Sequence, residues 1–344
     1  MEYSPLISII TPVYNGGYPF ICSLLAISRS QFSDYELIVV DDGSTDKSVA
    51  IAQQFGAKIL TTSGREGPGA ARNLGAKVAQ GKYLCFIDAD CEVCHDAIAD
   101  LAKKLQSQPQ IDALFGSYDD SPAASNFIAQ YKNLMHHYVH QQGSEDASTF
   151  WSGFGIVKRE LFLALDGFDV ERYPRPSIED IDLGYRLKQT GARIYLAKEL
   201  QVKHHKAWKL FGLIKTDVFA RGIPWTKLLL SNQSNRINDL NLQTSDRVSV
   251  MAIYSLLFCL AASLIVNSAI LPTLILIPLL LLLNWNVYQF FAQKRGVWFA
   301  VKVIPLHWLY YFYAGLSFVL GTLSYWQAAL FGNEKTVNRS PASS

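Results

Sequence analysis

Leu6-Ile7-Ser8-Ile9-Ile10, closed by Thr11-Pro12, and Glu36-Leu37-Ile38-Val39-Val40, closed by Asp41-Asp42-Gly43-Ser44, are two apolar, β-branched runs flanking a helical segment from Phe20 to Ser30. Runs that are continuously apolar, rather than alternating, suit strands buried on both faces of a parallel sheet. Parallel neighbours need a crossover, and the intervening helix supplies one, so the unit reads as βαβ. The pattern continues outward with a helix from Lys47 to Phe55, a strand from Lys58 to Thr61, a helix from Gly69 to Gln80 and a strand from Tyr83 to Ile87. The expected fold class is α/β, a Rossmann-like, mostly parallel sheet with helices on both faces. Such sheets bind ligands at the carboxyl ends of their strands. Here those ends carry Tyr14-Asn15, Asp41-Asp42 and Asp88-Ala89-Asp90.

The remaining composition divides the chain. Of 344 residues, 50% are hydrophobic and 17% charged. Charged residues are frequent up to about Arg247, whereas 248–331 is dominated by Leu, Ile, Val and aromatic residues. The expected organisation is a cytosolic α/β domain over 1–205, an amphipathic interfacial segment over 206–247, membrane helices over 248–331 and a polar tail over 332–344. Segments 248–267, 270–291 and 303–323 are each long enough to cross the hydrocarbon as a helix. In the 206–247 segment, Trp208, Phe211, Ile214, Val218 and Trp225 alternate with Lys206, Lys209, Lys215, Arg221 and Lys227, a composition suited to the headgroup region. Arg236 and Arg247 before the first span, with Lys294, Arg295 and Lys302 between the second and third, place those flanks on the cytosolic side. The expectation is a multi-pass protein of the cell membrane with its first domain in the cytosol and its C-terminus outside. Lys335 and Arg339 in the tail run against that last step.

A formal net charge of +2, with no Lys/Arg block and no aromatic RNA-binding signature, does not suggest a nucleic-acid-binding surface, and no nucleic-acid partner is expected. Five scattered cysteines suit a reducing compartment, and the Cys91-x-x-Cys94 pair has no second pair to complete a zinc or redox motif. No basic n-region precedes the first strand, so a cleavable signal peptide is not expected.

The chemistry concentrates in acids. Asp88 and Asp90 follow an apolar strand at a spacing that points both carboxylates to one side. Two carboxylates so placed repel unless a cation lies near them, and Mn²⁺ or Mg²⁺ would bind both acids and substrate phosphates. Asp41 and Asp42 suit hydrogen bonding to a base or ribose. Gly64-Arg65-Glu66-Gly67-Pro68-Gly69 is a Gly-rich turn entering a helix that carries Arg72, a setting suited to phosphate. Ser177-Ile178-Glu179-Asp180-Ile181-Asp182 opens another helix that stops at Gly191. Its three acids complement the helix dipole, and Ser177 is placed to cap it.

Taken in order, Thr11-Pro12-Val13-Tyr14-Asn15, Val39-Val40-Asp41-Asp42-Gly43-Ser44-Thr45-Asp46, Gly69-Ala70-Ala71-Arg72-Asn73 and Phe86-Ile87-Asp88-Ala89-Asp90 resemble the successive motifs of family 2 glycosyltransferases. The resemblance runs from about Ser8 to His205. It implies the GT-A fold, a nucleotide-diphosphate-sugar donor and inversion at the anomeric carbon. By matching positions, Pro12, Tyr14, Asn15, Asp41, Asp42 and Arg72 would hold the nucleotide-sugar, with Glu179 in support. Asp88 and Asp90 would face the diphosphate and the metal. The Glu179-Asp180 pair matches the family's Glu-Asp, which makes Asp180 the base that takes the acceptor hydroxyl proton. Val202-Lys203-His204 matches a Val-x-His that supplies His204 to the metal in several relatives.

Arg221-Gly222-Ile223-Pro224-Trp225 departs in spacing from the Gln/Arg-x-x-Arg-Trp of the family's processive synthases, and three spans offer little protein for a polymer channel. The expected reaction is therefore transfer of a single sugar to a lipid-linked or membrane-proximal acceptor in glycan or glycolipid synthesis. The alternatives are a processive polysaccharide synthase subunit, a nucleotidyltransferase, and an inactive sugar-nucleotide-binding assembly subunit.

Overall fold

The structure is a computed structural model that describes residues 4–231 and 244–331. Arg236 and the tail residues Lys335 and Arg339, used above to orient the membrane segments, lie outside the described residues, as does the expected tail at 332–344. The chain forms two compact units, Met1–Trp208 and Lys209–Ser344.

In the first unit, strands β1 (Ile7–Val13), β2 (Tyr35–Asp41), β3 (Lys58–Thr61) and β4 (Tyr83–Ile87) form a parallel block in the order β3-β2-β1-β4. Its crossovers are α1 (Gly17–Ser28), α2 (Ser48–Gln54) and α3 (Pro68–Val78). β1 and β4 are buried at every position, which is why their sequences are apolar throughout rather than alternating. Each fully buried Ile, Leu or Phe contributes about 1.5–3 kcal/mol, and one cluster of this core gathers around Ile7, Ile9, Cys85, Ile87 and Leu101. α3 lies close on β1, because a Cβ at Gly75 would stand 2.6 Å from Ile10 Cγ2.

Beyond β4 the sheet becomes mixed. β5 (Cys91–Val93), α4 (Ala97–Ser107), β6 (Ala113–Tyr118), α5 (Phe127–Gln142), β7 (Asp146–Ala147), β8 (Phe154–Lys158), α6 (Arg159–Ala164), α7 (Glu179–Gln189) and β9 (Ile194–His204) complete the unit. β8 runs antiparallel between β4 and β6, β9 is parallel to β6, and β5 and β7 pair antiparallel with β9. The strand expected at Arg193–Leu196 is thus the first part of an eleven-residue strand. Registers of Val13 with Asp41 and of Phe86 with Ile10 bring the polar strand ends to one edge.

The second unit holds a short helix α8 (Leu210–Lys215), a π-helical stretch Thr216–Gly222, α9 (Ile223–Ser231), α10 (Thr244–Ser263), α11 (Thr273–Leu283), α12 (Trp285–Arg295) and α13 (Val297–Leu330). α10 and α13 are each long and apolar enough to cross a membrane. The segment expected as a span at 270–291 consists of two helices, α11 and α12, bent by 59° at a short break. The bend falls at Asn284, whose Nδ2 donates to Leu280 O at 2.9 Å and Ser249 Oγ at 3.1 Å, while its Oδ1 accepts from Tyr311 at 2.6 Å. Pro278 within α11 also lacks the N–H that would close the helical ladder. Leu264, Ile265, Trp298 and Phe331 are all more than four-fifths exposed, as suits side chains facing lipid.

Candidate active site

The nucleotide end is assembled from three loop tips. Pro12 is buried in β1 and carries the chain to Tyr14, which is exposed. Asn15 takes a left-handed backbone, φ 49°, and turns its carboxamide into the neighbouring loop. Its Oδ1 accepts from the N–H groups of Thr45 (2.8 Å) and Asp46 (3.2 Å), and its own N–H donates to Ser44 Oγ at 2.9 Å. Asp41 Oδ1 accepts from Ser44 N at 3.1 Å.

Asp42 is buried and holds the Gly-rich loop. Its Oδ1 accepts from Glu66 N and Thr62 Oγ1, both at 2.8 Å, and its Oδ2 accepts from Gly67 N at 2.9 Å. The carboxylate read from sequence as a base or ribose contact is therefore occupied by protein donors. Gly67 has φ 92°, where a side chain is strained, and a Cβ there would lie a tight 3.3 Å from Pro174 O. The loop ends with the Arg65 guanidinium 4.0 Å from the centre of the Tyr14 ring. Arg65 was not singled out from sequence; only the fold brings it to Tyr14, 51 residues earlier in the numbering.

Asp88 and Asp90 are not on a strand. β4 ends at Ile87, and the two acids occupy a tight turn closed by Cys91 N donating to Asp88 O at 3.0 Å. The turn, not strand alternation, brings their carboxylates together: oxygens of Asp88 and Asp90 and the Cys91 sulfur lie within 4.8 Å of one another. Burial and the two carboxylates push the Cys91 thiol well up, so it sits there as a neutral group.

His204 is buried at the end of β9, stacked on Tyr118 at 4.5 Å, with Nε2 3.4 Å from Asp90 Oδ2. Nδ1 lies 2.7 Å from Asn133 Oδ1, so the Nδ1–H donates there and Nε2 is turned to the acids. Burial alone would raise the Asp90 carboxyl, but His204 and Lys206 hold it down at about 2.

Arg72 joins the acidic groups. It is 3% exposed, with Nη2 2.5 Å from Asp88 Oδ1 and Nη1 3.6 Å from Glu179 Oε1, and its guanidinium lies over the Phe168 ring. Phe168 is held by reciprocal bonds with the Asn73 carboxamide at 2.8 and 2.9 Å.

α7 begins without a side-chain cap, so Ser177 does not cap it; Ser177 N instead donates to Glu179 Oε2 at 2.8 Å. Asp182 pairs with Arg186 Nε at 2.8 Å, and Arg186 also donates to Leu165 O and Gly167 O, which makes this acid part of the framework. Asp180 points the other way. Its Oδ1 accepts from Ile181 N at 2.9 Å and its Oδ2 from the N–H and hydroxyl of Ser152 at 3.2 and 3.3 Å. Burial raises its carboxyl above the usual aspartate range, against the opposing pull of the Ser152 N–H and Arg72. Burial and the Asp180 charge likewise raise Glu179. The arrangement is a buried carboxylate held by protein donors, close to two acids that converge in a turn, at the polar edge of an α/β sheet.

This fold is the GT-A glycosyltransferase fold. It is shared with a mannosyltransferase from Pyrobaculum calidifontis solved with GDP-Man and Mn²⁺, at TM-score 0.59 and 17% identity over 92% of this chain and 88% of that one. Residues 8–165 match the model of glycosyl transferase family 2, and the N-terminal unit carries a domain of that family. Glycosyltransferase GlyG of Streptococcus pneumoniae is 32% identical over 177 residues, 46% of this chain and 58% of that protein. A UDP-Glc:α-D-GlcNAc-diphosphoundecaprenol β-1,3-glucosyltransferase of Escherichia coli is 26% identical over 133 residues, 37% of this chain and 52% of that protein. The chain thus spans little more than half the length of these curated relatives.

Proposed function

We propose that the protein is an inverting glycosyltransferase that moves one sugar from a nucleotide-diphosphate sugar to a lipid-linked or membrane-proximal acceptor. The observation that carries this reading is Asp180, fixed by three hydrogen bonds and flanked by the Arg72–Asp88–Glu179 cluster. In the reaction, Asp180 takes the proton of the acceptor hydroxyl as that oxygen bonds to the anomeric carbon. The bond from that carbon to the diphosphate breaks, and the electron pair leaves with the nucleoside diphosphate. Tyr14 and Arg65 offer an exposed aromatic and guanidinium pair for the base, and Asp41 stands nearby for the ribose. The close approach of Asp88 and Asp90, with His204 Nε2 aimed at them, fits a divalent ion. These three residues would hold Mn²⁺ or Mg²⁺, which supplies charge neutralisation to the diphosphate when bound.

Two further features support placement at a membrane. α10 and α13 have the length and composition of spans, and the acceptor named for the Escherichia coli relative is a diphosphoundecaprenol. On this reading 1–205 is the catalytic domain on the cytosolic side, 206–247 lies at the interface and 248–331 anchors the protein. Lys294 and Arg295 in the last turn of α12 support that orientation.

The test is release of nucleoside diphosphate from UDP-, GDP- and dTDP-sugars by the full chain in native-like membranes, with Mn²⁺, Mg²⁺ or EDTA, against Asp180→Asn. Turnover of one donor that collapses in the variant, with sugar recovered in the lipid fraction, is the expected result. Donor binding without turnover in the presence of membrane lipid extract would overturn it in favour of an assembly subunit. Pyrophosphate as product would overturn it in favour of a nucleotidyltransferase.

A further inference from the structure

A second group of metal-ligating side chains stands apart from the acids used above. Cys22 lies on α1, Glu92 at the centre of β5 and His205 immediately after β9. Their donor atoms, one sulfur, one carboxylate oxygen and one ring nitrogen, all lie within 4.8 Å of one another. Along β5, Cys91 and Val93 are buried in the core, so the pleat turns Glu92 to the opposite face, and α1 packs against this strand. β5 pairs antiparallel with β9, Glu92 opposite Lys203, and His205 N donates to Asp90 O at 2.9 Å. That backbone bond brings the His205 ring to Glu92, with Nε2 2.7 Å from Oε2 and the His205 side chain only 9% exposed.

An ion pair explains the histidine and the glutamate but not the thiol that faces them. α1 buries Phe20, Ser23, Leu24 and Ile27, leaving Cys22 on its flank beside the pair. Thiolate, imidazole and carboxylate together are the ligand types of zinc, and three protein ligands leave a fourth position for water. The sequence pair Cys91-x-x-Cys94 does not compete for this role: Cys91 is buried beside Asp88 and Asp90, whereas Cys94 is exposed.

We propose that Cys22, Glu92 and His205 form a site for a borderline divalent cation of the Zn²⁺ class, distinct from the Asp88–Asp90 site. On binding, the Cys22 thiol loses its proton to solvent and the sulfur bonds to the ion, while the imidazole and carboxylate donate lone pairs. The ion ties α1 to β5 and to the end of β9. Asp90 immediately precedes β5 and His204 ends β9, so the second site braces the first. No redox step is involved.

The experiment uses the full chain in detergent, stripped with chelator and titrated with Co²⁺, which reports a thiolate ligand by its charge-transfer absorption in the near ultraviolet. Cys91→Ser separates the two sites, since Cys91 is the thiol beside the acids. The expected result is a thiolate–Co²⁺ band in the wild type and in Cys91→Ser, displaced by Zn²⁺, absent in Cys22→Ser and needing at least about tenfold more Co²⁺ in His205→Gln. A wild type without the band, a band retained by Cys22→Ser, or a band lost only in Cys91→Ser each overturns the assignment. The wild-type and Cys91→Ser spectra decide the matter even should Cys22→Ser fail to fold.

Discussion

Replacing Arg72 by Met is expected to make the stability of the first unit fall more steeply with rising pH than it does in the wild type. The Arg72 and Glu179 side chains are 4% and 8% exposed, so Glu179 would lose its cation inside the protein, whereas Asp88, 32% exposed, regains part of its solvation from water. Removing one partner of a buried pair costs about 3–5 kcal/mol. At roughly 2–4 °C per kcal/mol for a domain of this size, Tm falls by about 6–20 °C. The sign with pH follows from Glu179. Burial and the Asp180 charge already raise its carboxyl, and Arg72 is the largest of the influences that oppose them, ahead of backbone N–H bonds such as that from Ser177. Without Arg72 the folded-state value rises further. A carboxyl raised in the fold stabilises it while protonated, and that contribution is lost as pH climbs through the folded value. The deficit should therefore be full at about pH 8 and shrink towards about pH 5. Thermal unfolding in detergent followed by tryptophan fluorescence measures it, and Arg72→Met with Glu179→Gln should recover most of the loss at the higher pH. A deficit under about 1 kcal/mol at pH 8, an equal deficit at both pH values, or no recovery in the double variant would refute the reasoning.

Asp180→Asn should lower kcat by about 10²–10⁴ while donor affinity, measured by calorimetry, stays within a few-fold of wild type. Because the base works deprotonated and burial raises its carboxyl, kcat/KM should fall on an acid limb above the usual aspartate range. Ser152→Ala, which removes one bond to the carboxylate, should move that limb upward and leave the rate on its alkaline side unchanged. Asp42→Ala removes the acceptor of the part-buried N–H groups of Glu66 and Gly67 and of the Thr62 hydroxyl, at about 0.5–1.5 kcal/mol per bond. It should lower Tm and raise the donor KM together, read by unfolding and initial-rate measurements. Asn284→Leu removes the bonds to Ser249 and Tyr311. Distances between spin labels on α11 and α12 should lengthen as the bend relaxes; unchanged distances would show that Pro278 alone sets it.

The parallel block was legible because its strands are buried on both faces and its turns carry Asp, Gly and Pro. β6, β8 and the far half of β9 were not, since antiparallel pairing across long sequence gaps leaves no local period, and the three residues of β5 are too few to show one. Glu179 and Asp180 were read from their motif, but two of the three bonds that fix Asp180 come from Ser152, 28 residues earlier. The paired acids were read for the right reason of charge and the wrong one of geometry: two residues apart suggests a strand, and the structure uses a turn. Tyr14 was identified alone, because nothing near it in sequence announces Arg65. The 270–291 segment is uniformly apolar, so hydropathy sees one span and passes over Asn284, a single polar residue whose partners lie on other helices.

The bonds made by Asn15 and Asp42 suggest why a motif match says little about the donor. These side chains are stitches: they sew the loop tips to one another and, on the proposed function, leave the exposed faces of Tyr14 and Arg65 to meet the ligand. A change of preferred base could then come from substitutions at those two faces while every stitch stays in place. Proteins that share the motifs could handle different nucleotides on the same seam.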